Sequence, residues 1–412
     1  MATPMTSKKQ TSFQMSDLRG LAQLGVDATL GVTSVVEQLH GTISRRARPL
    51  GAPDTAATRG ITGLVYGSIR GVARAISGGV GLGLSTVERL MPGQAADSAR
   101  RHAVLAALNG VYGDHLAASG NPLATDMALY HNGERLPLTP AAVAKVRPAG
   151  GGRLLLLVHG LCMNDQQWHR RGHHHGLHLA RQHGYTVLSL RYNSGLPVAR
   201  NGLLLAELLA RLDEIWSAEE LAVVGHSMGG LVARAAISVA EQQSLAWRTH
   251  LTGLVCLGTP HLGAALERGG HWIDTLLDLS PYAAPFARLG KARSAGITDL
   301  RHGHLRADGA TEQVPLPKGV PVYAVAATRA DARSDDGVHP HTSNTHAVSP
   351  MHSLPGDGLV SVASAWGEHS EPDRDLALPA AHKRLLTAAN HWDLLSRGEV
   401  ATWLVEWLAP RR

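Results

Sequence analysis

Cysteine is nearly absent from this 412-residue chain: only Cys162 and Cys256 occur. A disulfide framework is thereby excluded. Each cysteine lies in or beside an apolar run that reads as a buried strand, where a thiol serves as a small core residue, although a single bridge between them stays open at this level. Aromatic residues make up 4% of the chain, and only two of them are phenylalanine. The core must then be built mainly from Leu, Val, Ala and Ile, with close backbone packing. Near the N-terminus, Lys8 and Lys9 precede any apolar stretch, and no uninterrupted hydrophobic segment of signal-peptide type follows. Cytoplasmic residence is the resulting expectation. Basic residues are not interleaved with aromatics in the way that stacks bases, so a nucleic-acid partner is not expected.

What is present is a globular composition, 44% apolar and 17% charged, with a formal net charge of +6 that favours anionic surfaces. Two regions separate by pattern. Residues 1–150 read as a helical, Gly-rich extension. Within it Gly63, Gly67, Gly71, Ala75, Gly79 and Gly83 form a small-residue stripe at four-residue spacing, and Arg70 and Arg74 interrupt the apolar stretch. Glycine costs about 1 kcal/mol relative to alanine inside a helix, so so regular a stripe implies a close neighbour, either a second helix or an anionic lipid surface met peripherally. Residues 151–412 read as the catalytic domain. Short apolar runs at Leu154–Val158, Thr186–Leu190, Leu221–Val224, Leu251–Leu257 and Val320–Ala326 alternate there with helical segments at Leu203–Trp216, Leu231–Glu241 and Glu399–Leu408. Strands buried on both faces and separated by helices predict an α/β fold with a doubly wound, mostly parallel sheet. Residues 264–318, apolar yet broken by prolines, read as a helical cap insertion, and 328–355 as a polar surface loop.

The chemistry concentrates in the second region. Gly225-His226-Ser227-Met228-Gly229-Gly230 lies between a predicted strand and a predicted helix. A serine in so cramped a turn can hold its hydroxyl clear of the backbone, and the flanking glycines remove side chains that would collide. Ser227 is the candidate nucleophile. The helix it opens offers the Met228 amide to a developing oxyanion, and the strand end at His159-Gly160-Leu161 offers the Leu161 amide as second donor, with Cys162 as the alternative. His159 itself reads as structural or as part of the substrate wall. An orienting acid is expected after a late strand, and Asp357 between two glycines suits it better than Asp331, Asp335 or Asp336 in their polar run. Among 24 histidines, position selects His391, just before the last helix, with His382 and His369 as runners-up.

These residues, together with Leu257-Gly-Thr-Pro-His261-Leu-Gly263 and Asn390-His-Trp-Asp393, resemble bacterial lipase/esterase proteins of the α/β-hydrolase superfamily, most nearly those related to glycosylphosphatidylinositol inositol-deacylases. The resemblance covers about residues 153–408. It implies carboxylic ester hydrolysis through an acyl-enzyme, on a small-molecule or lipid ester, without a cofactor, and it implies that Thr259 and His261 shape the substrate pocket. The same triad would serve acyl transfer to another acceptor, and a scaffold on a hydrolase fold is the reading from another class. Some similar lipases hold calcium beside the histidine loop, at a position that is Asp393 here; no second acidic ligand accompanies it in the sequence. His169, His173, His174, His175 and His178 crowd one arginine-containing stretch, but without a Cys or carboxylate partner they read as a basic solvated loop. No metal is expected.

Overall fold

The computed structural model describes residues 16–17, 19–20, 22–23, 99–149, 152–264, 294–306, 314–331 and 356–410. The small-residue stripe, most of the expected cap and the polar loop with Asp335 and Asp336 lie outside the described residues. The chain divides into two compact units, residues 1–101 with 116–124, and residues 102–115 with 125–412. Within the first, Asp17 pairs with Arg101 at 2.7 Å and the Asn121 side-chain amide donates to the Gly20 carbonyl at 3.0 Å.

The second unit is built on an eight-stranded sheet. Its strands are β1 (Ala128–His131), β2 (Glu134–Arg135), β3 (Arg153–Val158), β4 (Tyr185–Arg191), β5 (Glu220–His226), β6 (Leu251–Leu257), β7 (Val322–Ala327) and β8 (Lys383–Leu386). Their spatial order is β2-β1-β4-β3-β5-β6-β7-β8, antiparallel at β2-β1-β4 and parallel from β4 to β8. The mostly parallel, doubly wound sheet read from the apolar runs is thus the observed fold. Alternation along each strand sends Leu154, Leu156, Val158, Leu221, Val223, Leu254 and Cys256 into one core, and Leu155, Leu157, Ala222, Val224, Val255 and Leu257 into the other. Both faces are covered, which is why these strands carry unbroken apolar runs. Cys162 and Cys256 are both free and buried.

Helices close the two layers: α1 (Ala99–Ala118), of which His102–His115 belongs to this unit, α2 (Pro140–Ala144), α3 (His175–His183), α4 (Val198–Trp216), α5 (Met228–Gln243), α6 (Ala295–His302), α7 (Val362–Trp366) and α8 (Gly398–Trp407). Among the described residues no helix is long and apolar enough to cross a membrane. The sheet also reaches upstream of the 150/151 boundary expected from composition, because β1 pairs with β4 through Leu129 and Leu190. Four residues with a polar end carry too little periodicity to be read as a strand. Helix α1 enters the same unit by close approach. A side chain at Gly110 would strike the Cys162 sulfur, and one at Gly113 the Asn193 amide, so glycine lets the loops after β3 and β4 lie against this helix.

The order of strands places a site. The chain leaves β3 toward β4 on one side and returns to β5 on the other, so the loops after β3 and β5 diverge and leave a crevice at the carboxyl ends of the strands. Val158 and Gly225 are register partners, as are His226 and Leu257. The segments that follow β3, β5 and β6 therefore begin side by side.

Candidate active site

Ser227 sits between β5 and α5 with φ 53° and ψ −125°, a backbone conformation that side-chain-bearing residues rarely adopt. The surroundings enforce it. A Cβ on Gly225 would lie 2.5 Å from the Gly230 nitrogen, one on Gly229 would strike the Val158 carbonyl, and one on Gly230 the Thr259 side chain. The Ser227 amide donates to the Leu257 carbonyl at 2.8 Å, which ties the turn to the end of β6.

His391 and Asp357 meet from opposite ends of the late chain. His391 Nδ1 lies 2.7 Å from Asp357 Oδ2, and both residues are about 1% exposed. A carboxylate can only accept here, so Nδ1 carries the proton and Nε2 presents its lone pair. The other carboxylate oxygen accepts from the amides of Leu359 and Val360, each at 2.9 Å. Gly358, at φ 102°, permits the sharp turn that brings both amides round. His391 Nε2 is buried and has no protein partner among the described residues. Its ring lies against the end of β6: a Cβ on Gly258 would stand 3.0 Å from His391 Cε1. Ser227 and His391 thus both abut the Leu257–Gly258 step.

The two amides proposed for an oxyanion are differently placed from their neighbours. Met228 is the first residue of α5 and has no carbonyl four residues back within the helix. Leu161 follows Gly160, where a Cβ would lie 3.1 Å from Ser227 Cβ. Among the described residues the Leu161 amide meets no acceptor, whereas the Cys162 amide donates to Ser194 Oγ at 3.1 Å. The amide of Cys162, the alternative donor, is thus already engaged.

His159 is walled in. Its ring stacks on Tyr192 at 4.3 Å, its Nδ1 lies 2.8 Å from the Gly160 carbonyl, and the Tyr192 hydroxyl donates to the His159 carbonyl at 2.8 Å. Burial lowers its pKa to about 3, so the imidazole stays neutral. Thr259 and His261 are likewise fully buried. His261 Nδ1 lies 3.0 Å from Arg234 Nη1 on α5, and burial holds its pKa well below the ordinary range. The runners-up stand elsewhere. His382 precedes β8 and contacts the Val322 carbonyl at 3.0 Å, at the amino ends of β7 and β8 and away from the carboxyl ends where Ser227 and His391 lie, while His369 receives the Glu371 amide in an exposed turn. Asp331 is exposed.

One contact has no forerunner in the sequence reading. His226, inside the serine motif, points its Nε2 at the His391 carbonyl at 3.2 Å, with ring centroids 4.7 Å apart. Only a neutral ring protonated at Nε2 can make that bond while its buried Nδ1 stays without a donor, and burial does hold the His226 pKa well below the ordinary value. Its place next to Ser227 is the available signal. Asp393, the position offered to calcium by resemblance, has Oδ1 taken by Arg171 at 2.8 Å and Oδ2 by the Asn390 amide at 3.0 Å. Among the described residues no group of three or more His, Cys, Asp or Glu side chains could hold a metal ion.

Residues 123–300 match a family described as a domain of unknown function, DUF7379. No curated protein matches the chain. Among solved structures it is similar to the mature lipase BlEst2 of Bacillus licheniformis, with 17% identity, a TM-score of 0.40 and coverage of 63% of this chain and 93% of that one. It is similar also to a lipase-esterase related protein of Clostridium acetobutylicum, with 12% identity, a TM-score of 0.38 and coverage of 69% and 100%. A third is the carboxylesterase CesB of Bacillus subtilis, with 10% identity, a TM-score of 0.36 and coverage of 64% and 85%. These likenesses are distant, extend over lipases and esterases in general, and do not single out the inositol-deacylase-related branch.

Proposed function

We propose that the protein hydrolyses carboxylic esters through an acyl-enzyme, with Ser227 as nucleophile, His391 as general base and Asp357 orienting the histidine. The observation that carries this reading is the buried His391–Asp357 pair beside the turn that holds Ser227. With Nδ1 protonated and bound to Asp357, the Nε2 lone pair of His391 is the atom that can take the serine proton and return it to the leaving alcohol. The amides of Leu161 and Met228 supply the charge stabilisation as the carbonyl oxygen becomes an oxyanion. Water then attacks the acyl-enzyme by the same proton path, and the acid product leaves. The motif resemblance to inositol-deacylase-related lipases supports fatty-acyl or lipid esters as the substrate class.

A fluorophosphonate probe tests the nucleophile directly: we expect one equivalent bound covalently, located at Ser227 by peptide mass spectrometry, followed by turnover across an acyl-chain series of 4-nitrophenyl esters. Label found only on another residue would overturn the assignment. Asp357→Asn is expected to retain the fold, because the amide oxygen can still accept from Leu359 and Val360, yet to lower turnover roughly 10²- to 10⁴-fold by disturbing the tautomer of His391. Asp336→Asn is expected to be close to neutral. If steady-state assays returned the reverse order, the orienting acid would lie in the polar loop instead.

A further inference from the structure

The histidine-rich stretch reads from sequence as a solvated loop, yet its centre is buried against the turn that carries His391. Arg170 and His173 exchange both backbone hydrogen bonds, each at 2.9 Å, across Arg171 and Gly172, whose φ values are 49° and 75°. Two successive positive φ values across a two-residue loop are what a tight hairpin turn of primed type requires, and such a turn has little freedom. From this turn Arg171 reaches Asp393 at 2.8 Å, and Arg170 lies over the Trp392 ring at 5.4 Å. Two residues further on, His175 is fully buried. Its Nε2 stands 2.9 Å from the Leu394 carbonyl and its Nδ1 2.9 Å from His173 Nε2.

The protons in this chain are determined by chemistry. A carbonyl only accepts, so His175 Nε2 must donate. A neutral imidazole protonated there has its lone pair at Nδ1, so His173 Nε2 must donate in turn. The direction runs from the half-buried His173 through His175 to the backbone of residue 394. The turn is also braced from within: Asn390 Oδ1 accepts the Trp392 amide at 2.9 Å, and Asp393 Oδ2 accepts the Asn390 amide at 3.0 Å. Residues 390, 392, 393 and 394 are therefore all held, and His391 is the one residue of the turn whose side chain points away to Asp357.

We infer that Arg170–His175 is the element that positions His391, with the His173–His175–Leu394 chain setting the place of the base-bearing turn and the Arg171–Asp393 pair setting its orientation. The inference rests on the reading of His391 as the general base. Displacement of a reacting group by about 1 Å costs on the order of 10²-fold in rate, so a positioning element shows itself in kcat while leaving substrate binding alone. It is a positioning device, because neither His175 nor Arg171 touches the reacting atoms.

The test is made on the full-length chain. His175→Leu removes the donor to Leu394, whereas His175→Gln keeps an N–H at a similar reach. We expect His175→Leu to lower kcat about 10- to 100-fold with KM within twofold of the parent, and His175→Gln to recover most of the loss. Arg171→Ala, at an exposed side chain, is expected to lower kcat severalfold and to be partly rescued by Arg171→Lys. Equal kcat for Leu and Gln at position 175, or a loss confined to KM, would overturn the inference. If His175→Leu does not fold, the Arg171 pair decides in its place: unchanged kcat in Arg171→Ala overturns the positioning role. Ser227→Ala run alongside separates the two levels. Its inactivity beside wild-type kcat in the position 175 and 171 variants rejects the positioning element alone, whereas activity in Ser227→Ala rejects the reading of the site beneath it.

Discussion

Ser227→Ala is expected to lower ester turnover by a factor on the order of 10³ to 10⁶ while leaving the folded state intact. Removing one oxygen takes away the proposed nucleophile. Nothing that supports the turn goes with it, because the turn is held by the Ser227 amide on the Leu257 carbonyl and by the glycines around it. Alanine also occupies φ 53° at much the same cost as serine, so no strain is added or released by the change. What remains would be catalysis by the two amides and by binding alone, which is why the residual rate stays above that of water. A purified, folded variant retaining more than a tenth of parental turnover on 4-nitrophenyl esters rules Ser227 out as the nucleophile.

A second large effect is expected on acidification. His159, His175, His226 and His261 are all fully buried and all held neutral, with pKa values of about 3 for His159 and His175 and directions well below normal for His226 and His261; burial is the leading cause in each case. The sign follows from proton counts. Between the folded values and the ordinary value near 6.5 the unfolded chain binds protons that the folded chain refuses, so stability is full above about pH 6.5 and falls as pH is lowered through that window. His159 and His175, with values of about 3, each withdraw roughly 2 kcal/mol by pH 5, together a large part of the whole stability of an ordinary domain, and His226 and His261 act in the same direction. Denaturant unfolding followed by tryptophan fluorescence is therefore expected to show a transition midpoint that collapses between pH 6.5 and pH 5. Equal midpoints at pH 5 and pH 8 would mean that these imidazoles are protonated in the folded protein.

Much of the sheet and of the candidate site is legible in the sequence, for a physical reason. A strand covered on both faces must be apolar throughout, as Leu154 to Val158 is, and a serine in a strained turn needs glycines at fixed offsets, as Gly225 and Gly229 are. Both requirements are local. Ala128–His131 escapes detection because it is short and ends in polar residues, and it becomes a strand only by pairing with β4. His175 and Asp393 escape because their partners are remote in the chain: His175 meets Leu394 across 219 residues, and Arg171 meets Asp393 across 222. A run of histidines looks like solvated charge until one of them is found turned inward. The engagement of the Cys162 amide is hidden for a similar reason, since only the tertiary contact with Ser194 shows it to be in use.

The pairing of β1 with β4 also bears on how this protein can be cut. A fragment beginning near residue 151 follows the shift in composition, but it strips Ala128, Leu129 and Tyr130 from Arg191, Leu190 and Ser189 and leaves β4 as a bare edge. An apolar strand with open N–H and C=O groups along its length recruits other chains, so the trimmed protein becomes prone to self-association. The same cut discards the stretch of α1 on which Cys162 and Asn193 rest, so the loop carrying Leu161 loses its floor. A piece that keeps this unit whole therefore starts no later than His102.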